Sequence, residues 1–194
     1  YSGDEFNRAI AAFSEKYPEV ELKIVRGNHE ELYRALVNED VDLVMSDQRR
    51  AFAQGYVNES LAKRSVYVEV SARNALAGAE LVTGEDLRNQ TMILVAVPGE
   101  EEVERHYYRE IIGFSGDFLF MENAEQARIM VLRNRGFMPV EDKVVGASLE
   151  QMVRRIPFYI GKRQMVRHYC VFYKEDNSGY YIEEFADMLK VQFL

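Results

Sequence analysis

Three features of this sequence invite a chemical reading: a histidine two positions from the only cysteine, polar clusters at breaks in apolar runs, and a basic run in an acidic chain. His168-x-Cys170 puts an imidazole and a thiol on one face of an extended segment, the pairing a nucleophile and its base require. No third orienting group or oxyanion motif accompanies the pair. The better reading is a packed strand, with Cys170 a buried, reduced thiol in the apolar run Tyr169-Cys170-Val171-Phe172-Tyr173. The other histidines, His29 and His106, are scattered. His29-Glu30-Glu31 lacks the second histidine four residues on that a zinc-protease helix carries, so no metal is implied. Neither a Walker loop nor Gly-x-Gly-x-x-Gly is present, so no nucleotide cofactor is implied either. Glu100-Glu101-Glu102 reads as an acidic helix start favoured by the macrodipole rather than a catalytic carboxylate set. Arg154, Arg155, Lys162, Arg163 and Arg167 alternate with Ile156, Phe158, Ile160 and Met165, the pattern of a strand with one solvated face.

The bulk numbers narrow the function classes. A formal net charge of −8 over 194 residues opposes binding to a phosphate backbone, so this chain is not itself the reader of DNA. With 47% hydrophobic and 29% charged residues, 12 Tyr, 11 Phe and no Trp, the composition is that of a globular α/β protein with an aromatic core. One cysteine forms no internal disulfide, which fits a cytoplasmic setting. No apolar run reaches the roughly 18 residues of a membrane span.

The elements that must position these residues follow from periodicity. Phe6, Ala9, Ile10, Phe13 and Tyr17 line one face of a helix from Asp4 that Pro18 ends. Val20, Leu22 and Ile24 alternate with charges and read as a strand. Gly27-Asn28 breaks it, and Asn28 with Glu31 forms a capping box for a helix to Val37, followed by a short strand from Val41 to Met45. The order helix, strand, helix, strand implies a parallel sheet with crossover helices. Downstream, Ser65–Ser71 is extended, Thr83 caps a short helix, and the apolar run Thr91–Val97 reads as a buried strand. A helix is expected over Glu100–Ile112, a strand over Phe118–Met121, and a helix from an Asn123–Gln126 capping box to Arg133, stopped by Gly136. Phe137–Val140, Ile156–Ile160 and Arg167–Tyr173 are extended, and Tyr180–Val191 closes the chain as a helix.

With these elements in place a resemblance emerges. Ala12-Phe13-Ser14-Glu15-Lys16-Tyr17-Pro18-Glu19-Val20-Glu21-Leu22 resembles the opening helix and strand of LysR-type effector-binding domains. Glu31-Leu32, Leu36 and Val41-Asp42-Leu43-Val44 continue the pattern, as do Tyr67-Val68-Glu69-Val70-Ser71, Leu76, Val82-Thr83-Gly84-Glu85-Asp86-Leu87, Val131 and Gly136-Phe137-Met138-Pro139. The resemblance implies an α/β fold of two Rossmann-like lobes joined by crossover strands, type 2 periplasmic-binding-protein-like. It places lobe I over 1–67 and 169–194 and lobe II over 68–168. It further implies a non-catalytic sensor without cofactor, metal or membrane contact, forming a homodimer, or a tetramer in a full-length regulator. DNA is then reached only through a winged helix-turn-helix domain absent from this sequence. A free periplasmic-type solute-binding protein for transport is the alternative.

In open α/β sheets ligands sit beyond the carboxyl ends of strands, where helix amino ends offer unpaired N–H groups. That rule selects Ser2, Gly27, Asn28, Ser46, Asp47, Gln48, Val97, Glu122, Asn123, Phe137 and Met138, and an organic anion or amino-acid-like effector. For several of these two readings stand. The resemblance implies that Ser2, at a position where the family often carries Ser or Thr, is an effector donor, the other reading being a helix cap or frayed terminus, and Asn28 is a structural cap or a contact as well. Asp47-Gln48-Arg49-Arg50 is a clamp or a solvated loop, and Phe137 and Met138 wall a pocket or belong to the core.

Overall fold

The structure, a computed structural model, describes residues 4–48, 54–96, 98–141 and 146–194. The chain divides into two compact units, Tyr1–Lys63 with His168–Leu194, and Arg64–Arg167.

In the first unit, helix α1 (Asp4–Lys16) runs as its periodicity requires and buries Ala9 and Phe13. Helix α2 (His29–Val37) follows, then strands β1 (Val44–Asp47) and β2 (Tyr56–Ser65). The late strand β10 (Val166–Lys174) is the middle member of a 3-stranded sheet ordered β1-β10-β2. Helix α6 (Tyr180–Gln192) then packs Phe185, Ala186 and Leu189 with Ala9, Phe13, Val171 and Tyr173 into one core. Phe13 meets Phe185 edge-on at 5.4 Å, and each buried aromatic of this kind contributes about 2 kcal/mol of transfer free energy.

Two expectations fail here. Val20–Ile24 forms no strand: it lies outside both sheets, and Ile24 and Val25 are exposed. Alternation supplies one apolar face, but a strand also needs a ladder neighbour for its backbone groups, and none is present among the described residues. Nor is this sheet parallel, because β1 pairs antiparallel with β10, from Val44↔Phe172 to Asp47↔Tyr169. Helix-strand alternation could not reveal that a strand from the far end of the chain takes the central place.

The second unit is built on a 7-stranded sheet. Its path is β4 (Val82–Thr83), β8 (Val153–Ile160), β3 (Tyr67–Ser71), β7 (Phe137–Val140), β5 (Thr91–Val95) and β6 (Asp117–Met121), with β9 (Arg163–Gln164) paired to β8. Strand β5 is parallel to both β6 and β7, whereas β3 is antiparallel to β7 and β8. Both faces are covered, as the apolar run in β5 requires: Met92 and Leu94 enter one cluster with Val68, Phe114 and Phe158, while Ile93 enters another with Ala127, Val131 and Met138. The short helix α3 (Gly84–Leu87) has the expected Thr83 cap, reciprocated by Asp86.

Local corrections have clear causes. Glu100–Ile112 is not one regular helix: α4 (Glu101–His106) widens into a π-turn over Tyr107–Ile111, where Tyr108 is fully buried and its hydroxyl bonds Arg167. Helix α5 (Ala124–Leu132) is stopped not by Gly136 but by Asn134, whose φ of 56° is left-handed. Gly136 serves a close approach instead, since a Cβ there would press into the Thr91 carbonyl. At the other end of α5, Asn123 accepts from the Gln126 N–H at 2.9 Å, but among the described residues Gln126 returns no bond. The basic run is not one solvated face either. Arg154 is exposed, yet Arg155 is drawn inward to Glu69, and Arg167 bonds Glu141 at 2.7 Å.

Glu69 is fully buried in β3 and is held by Arg128 of α5 at 2.9 Å and Arg155 of β8 at 2.8 Å. Removing one member of such a set strands the others in low dielectric. Glu69→Gln is therefore expected to destabilise the fold by about 3 kcal/mol, read as a lower urea midpoint at unchanged slope. An unchanged midpoint would mean that Arg128 and Arg155 need no counter-charge.

A more exposed set ties α1 to α6. Lys16 Nζ lies 2.7 Å from Glu184, which also accepts from the Tyr17 hydroxyl at 2.6 Å. The hydrogen bonds from Lys16, then Tyr17, hold the Glu184 carboxyl below its ordinary 4.5. Since the folded value lies below the unfolded one, the contribution is complete above the unfolded value and is lost as pH falls through the folded value. Thermal melts of Glu184→Gln against the parent should differ near neutral pH and converge as pH falls through the folded value, below the ordinary carboxylate range.

Candidate functional site

The candidate site lies in the first unit, where the carboxyl end of β1 meets the amino end of α2. Asn28 caps α2: its side-chain oxygen accepts from the Glu30 and Glu31 N–H groups at 3.0 Å each, and Glu31 bonds back to the Asn28 N–H at 3.0 Å. This fixes the next residue, His29, at the start of the helix. Ser46 and Asp47 are consecutive residues of β1, so their side chains leave opposite faces of the strand. The His29 ring lies across the strand end and reaches both. Nδ1 is 2.8 Å from Ser46 Oγ, and Nε2 is 2.8 Å from Asp47 Oδ1.

The electrostatics of this cluster follow from its partners. With Nε2–H donating to the Asp47 carboxylate, Nδ1 of a neutral ring accepts from the Ser46 hydroxyl; in the imidazolium form both ring N–H groups donate. The ring is thus held at both nitrogens in either state. Serine, histidine and aspartate together evoke a nucleophilic triad, but Ser46 is 8% exposed and its hydroxyl is directed into the cluster. Geometrically this is a fixed polar platform rather than an armed nucleophile. Beside it the Gln48 N–H donates to the His168 carbonyl at 2.7 Å, and His168 Nε2 lies 2.7 Å from Ser60 Oγ. Cys170 is buried opposite Ser46 in the ladder, and burial pushes its thiol up. The His168-x-Cys170 pair is therefore packed strand, as the sequence indicated.

The site residues expected from sequence fall in several places. Ser2 and Val97 lie outside the described residues, as do Arg49 and Arg50. Gly27, Asn28, Ser46, Asp47 and Gln48 belong to the first unit and surround or adjoin the His29 cluster. A Cβ on Gly27 would lie 2.8 Å from the Glu31 carboxylate that closes the capping box, so glycine preserves this turn. Glu122, Asn123, Phe137 and Met138 belong to the second unit. There Glu122 is exposed after β6, Asn123 caps α5, and Phe137 and Met138 are buried in the clusters on opposite faces of the sheet.

Sequence reasoning missed His29, which it treated only as a failed metal motif. The signal was present: a histidine directly after a capping asparagine must stand at a helix amino end, beside the end of the next strand. Among the described residues no group of His, Cys, Asp and Glu is arranged to hold a metal ion. Nor is any described helix long and apolar enough to cross a membrane.

Comparison with known proteins accords with this architecture. The model of the LysR substrate binding domain matches residues 5–193. Among solved structures, the regulatory domain of MetR, a LysR-family regulator from N. meningitidis, superposes with a TM-score of 0.82 at 18% identity, over 97% of this chain and 87% of that one. The reduced OxyR regulatory domain from Pseudomonas aeruginosa gives 0.70 at 16% identity, over 100% and 93%. The effector binding domain of a BenM variant gives 0.70 at 13%, over 96% and 87%. No curated protein matches the sequence. At these identities the structural likeness establishes the fold, which is that of type 2 periplasmic binding proteins. With its family model spanning nearly the whole sequence, the chain belongs to the LysR family of transcriptional regulators as an effector-binding domain.

Proposed function

We propose that this chain senses an amino-acid-like metabolite through the platform formed by His29, Ser46 and Asp47, with Asn28 and Gln48 at its edge. The carrying observation is that cluster, at the strand end where α/β sheets bind ligands, within a LysR substrate binding domain. The caps bear on the choice of effector. Asn28 and Asn123 already occupy N–H groups at the starts of α2 and α5, leaving fewer donors there for a bare organic anion. The paired Asp47 and His29 put a carboxylate and, when the ring is protonated, a positive charge at this strand end, the charges that complement the ammonium and carboxylate of an amino acid.

In this reading residues 1–67 and 169–194 form lobe I and residues 68–168 form lobe II. The effector favours one arrangement of the lobes, and its differential affinity for the two arrangements is the entire signal. The domain works as a homodimer, tetrameric in a full-length regulator, and performs no catalysis and uses no cofactor. DNA is contacted by a separate helix-turn-helix domain.

Thermal-shift screening of the chain against amino acids and small organic acids tests this. A specific hit at about 100 times its dissociation constant adds about 2.7 kcal/mol to the stability of the folded state. Asp47→Asn and His29→Ala should each weaken that hit by about tenfold or more, as loss of a charged hydrogen-bonding partner does. A hit that tolerates both substitutions places the effector elsewhere.

A further inference from the structure

A second charged feature lies wholly within the second unit. Strands β3 and β7 run antiparallel with Val70 opposite Phe137, so the residues that follow β3 come beside those that precede β7. This register brings Arg73 to the turn Arg133-Asn134-Arg135, and the four residues line an open pocket of about 450 Å³. The turn is firmly held. Asn134 is left-handed, and its side-chain oxygen accepts from Asn74 Nδ2 at 3.0 Å; Asn74, 8% exposed, also donates to Gln90 at 3.1 Å. Arg73 is tethered by an Nη2 donation to the Leu132 carbonyl at 3.1 Å. Among the described residues none of these arginines makes an ion pair, although the chain carries a net charge of −8.

The pocket is also separate from the ligand end of this sheet. It lies where α5 leads into β7, at the amino end of β7, and β7 is parallel to β5 and through it to β6. Ligands of α/β sheets gather at the opposite, carboxyl ends. Three arginines lining one open pocket bring planar donor forks that match phosphate and carboxylate oxygens.

We infer that Arg73, Arg133 and Arg135 form a second binding site, distinct from the proposed effector platform, for a small multivalent oxyanion of the phosphate or polycarboxylate type. The pocket size suits a small molecule. Exposed arginines keep their charge across the working pH range, so occupancy follows the ionisation of the anion and falls with salt.

Isothermal titration of the 194-residue chain with sodium pyrophosphate and, separately, with citrate tests the site, against sodium chloride at matched ionic strength. Saturable binding of at least one of the two at one site per chain is expected, and the anion that binds names the chemistry. Arg133→Gln/Arg135→Gln should weaken it by about tenfold or more, with the unliganded melting temperature unchanged because both side chains are exposed. Lys162→Gln/Arg163→Gln, on an exposed turn elsewhere in the unit, and His29→Ala should leave it intact. The proposal is overturned if neither anion saturates, if sodium chloride reproduces the effect, or if the arginine variant binds as the parent does. Loss of binding in His29→Ala alone would assign the anion to the other unit and equally overturn it. The effector reading stands or falls separately, on its own screen.

Discussion

The second unit depends on the register of one strand. β3 lies between two antiparallel neighbours and sends alternate residues into opposite faces: Val68 and Val70 border one apolar cluster, and Glu69 turns to the face beneath α5. Side chains alternate strictly along a strand, so a slip of one residue would drive the Glu69 carboxylate among Phe114, Phe137 and Phe158 and leave two arginines without their counter-charge. The ion set adds little to stability over an apolar trio of the same size, but it forbids the wrong alignment at a cost of several kcal/mol. The correct alignment in turn sets Phe137 and Met138 on opposite faces and brings Arg73 beside Asn134. Core, sheet order and basic pocket share one constraint.

In the first unit the comparable role falls to a helix cap. Asn28 fixes where α2 begins, and hence where the His29 ring stands relative to the end of β1. A capping asparagine usually matters for helix stability by about 1 kcal/mol. Here it also decides the geometry of a polar cluster, because the first helical residue carries the imidazole. The same caps alter the chemistry that the sheet end offers. Side-chain oxygens already seated on the N–H groups of α2 and α5 leave fewer bare donors at those helix ends.

Much of this was legible in the residues. The apolar stripes of α1 and α6, the capping box at Asn28, the cap at Thr83, the doubly buried β5 and the packed Cys170 strand all rest on local rules, and local rules act here as they do in isolation. What was not legible depends on distant partners. Val20–Ile24 has a strand's alternation and lacks a strand's neighbour. Arg155 looked like surface charge until β8 was paired to β3 opposite Glu69. Asn134, not Gly136, ends α5, a choice visible only once Gly136 is seen pressed against Thr91. The same division runs through the site. Ser46 and Asp47 were found by where a strand ends, whereas His29 was missed because its partners are 17 and 18 positions away in sequence.

The units also differ in how their chain is spent. Arg64–Arg167 is one unbroken stretch, whereas the first unit draws its middle strand β10 and the core-forming α6 from the last residues of the sequence. On a ribosome synthesising from the amino end, the later-numbered unit therefore has all its parts first. The earlier-numbered one waits, with α1, β1 and β2 already made, for His168–Leu194 to emerge. Its half-made sheet meanwhile exposes unpaired edges.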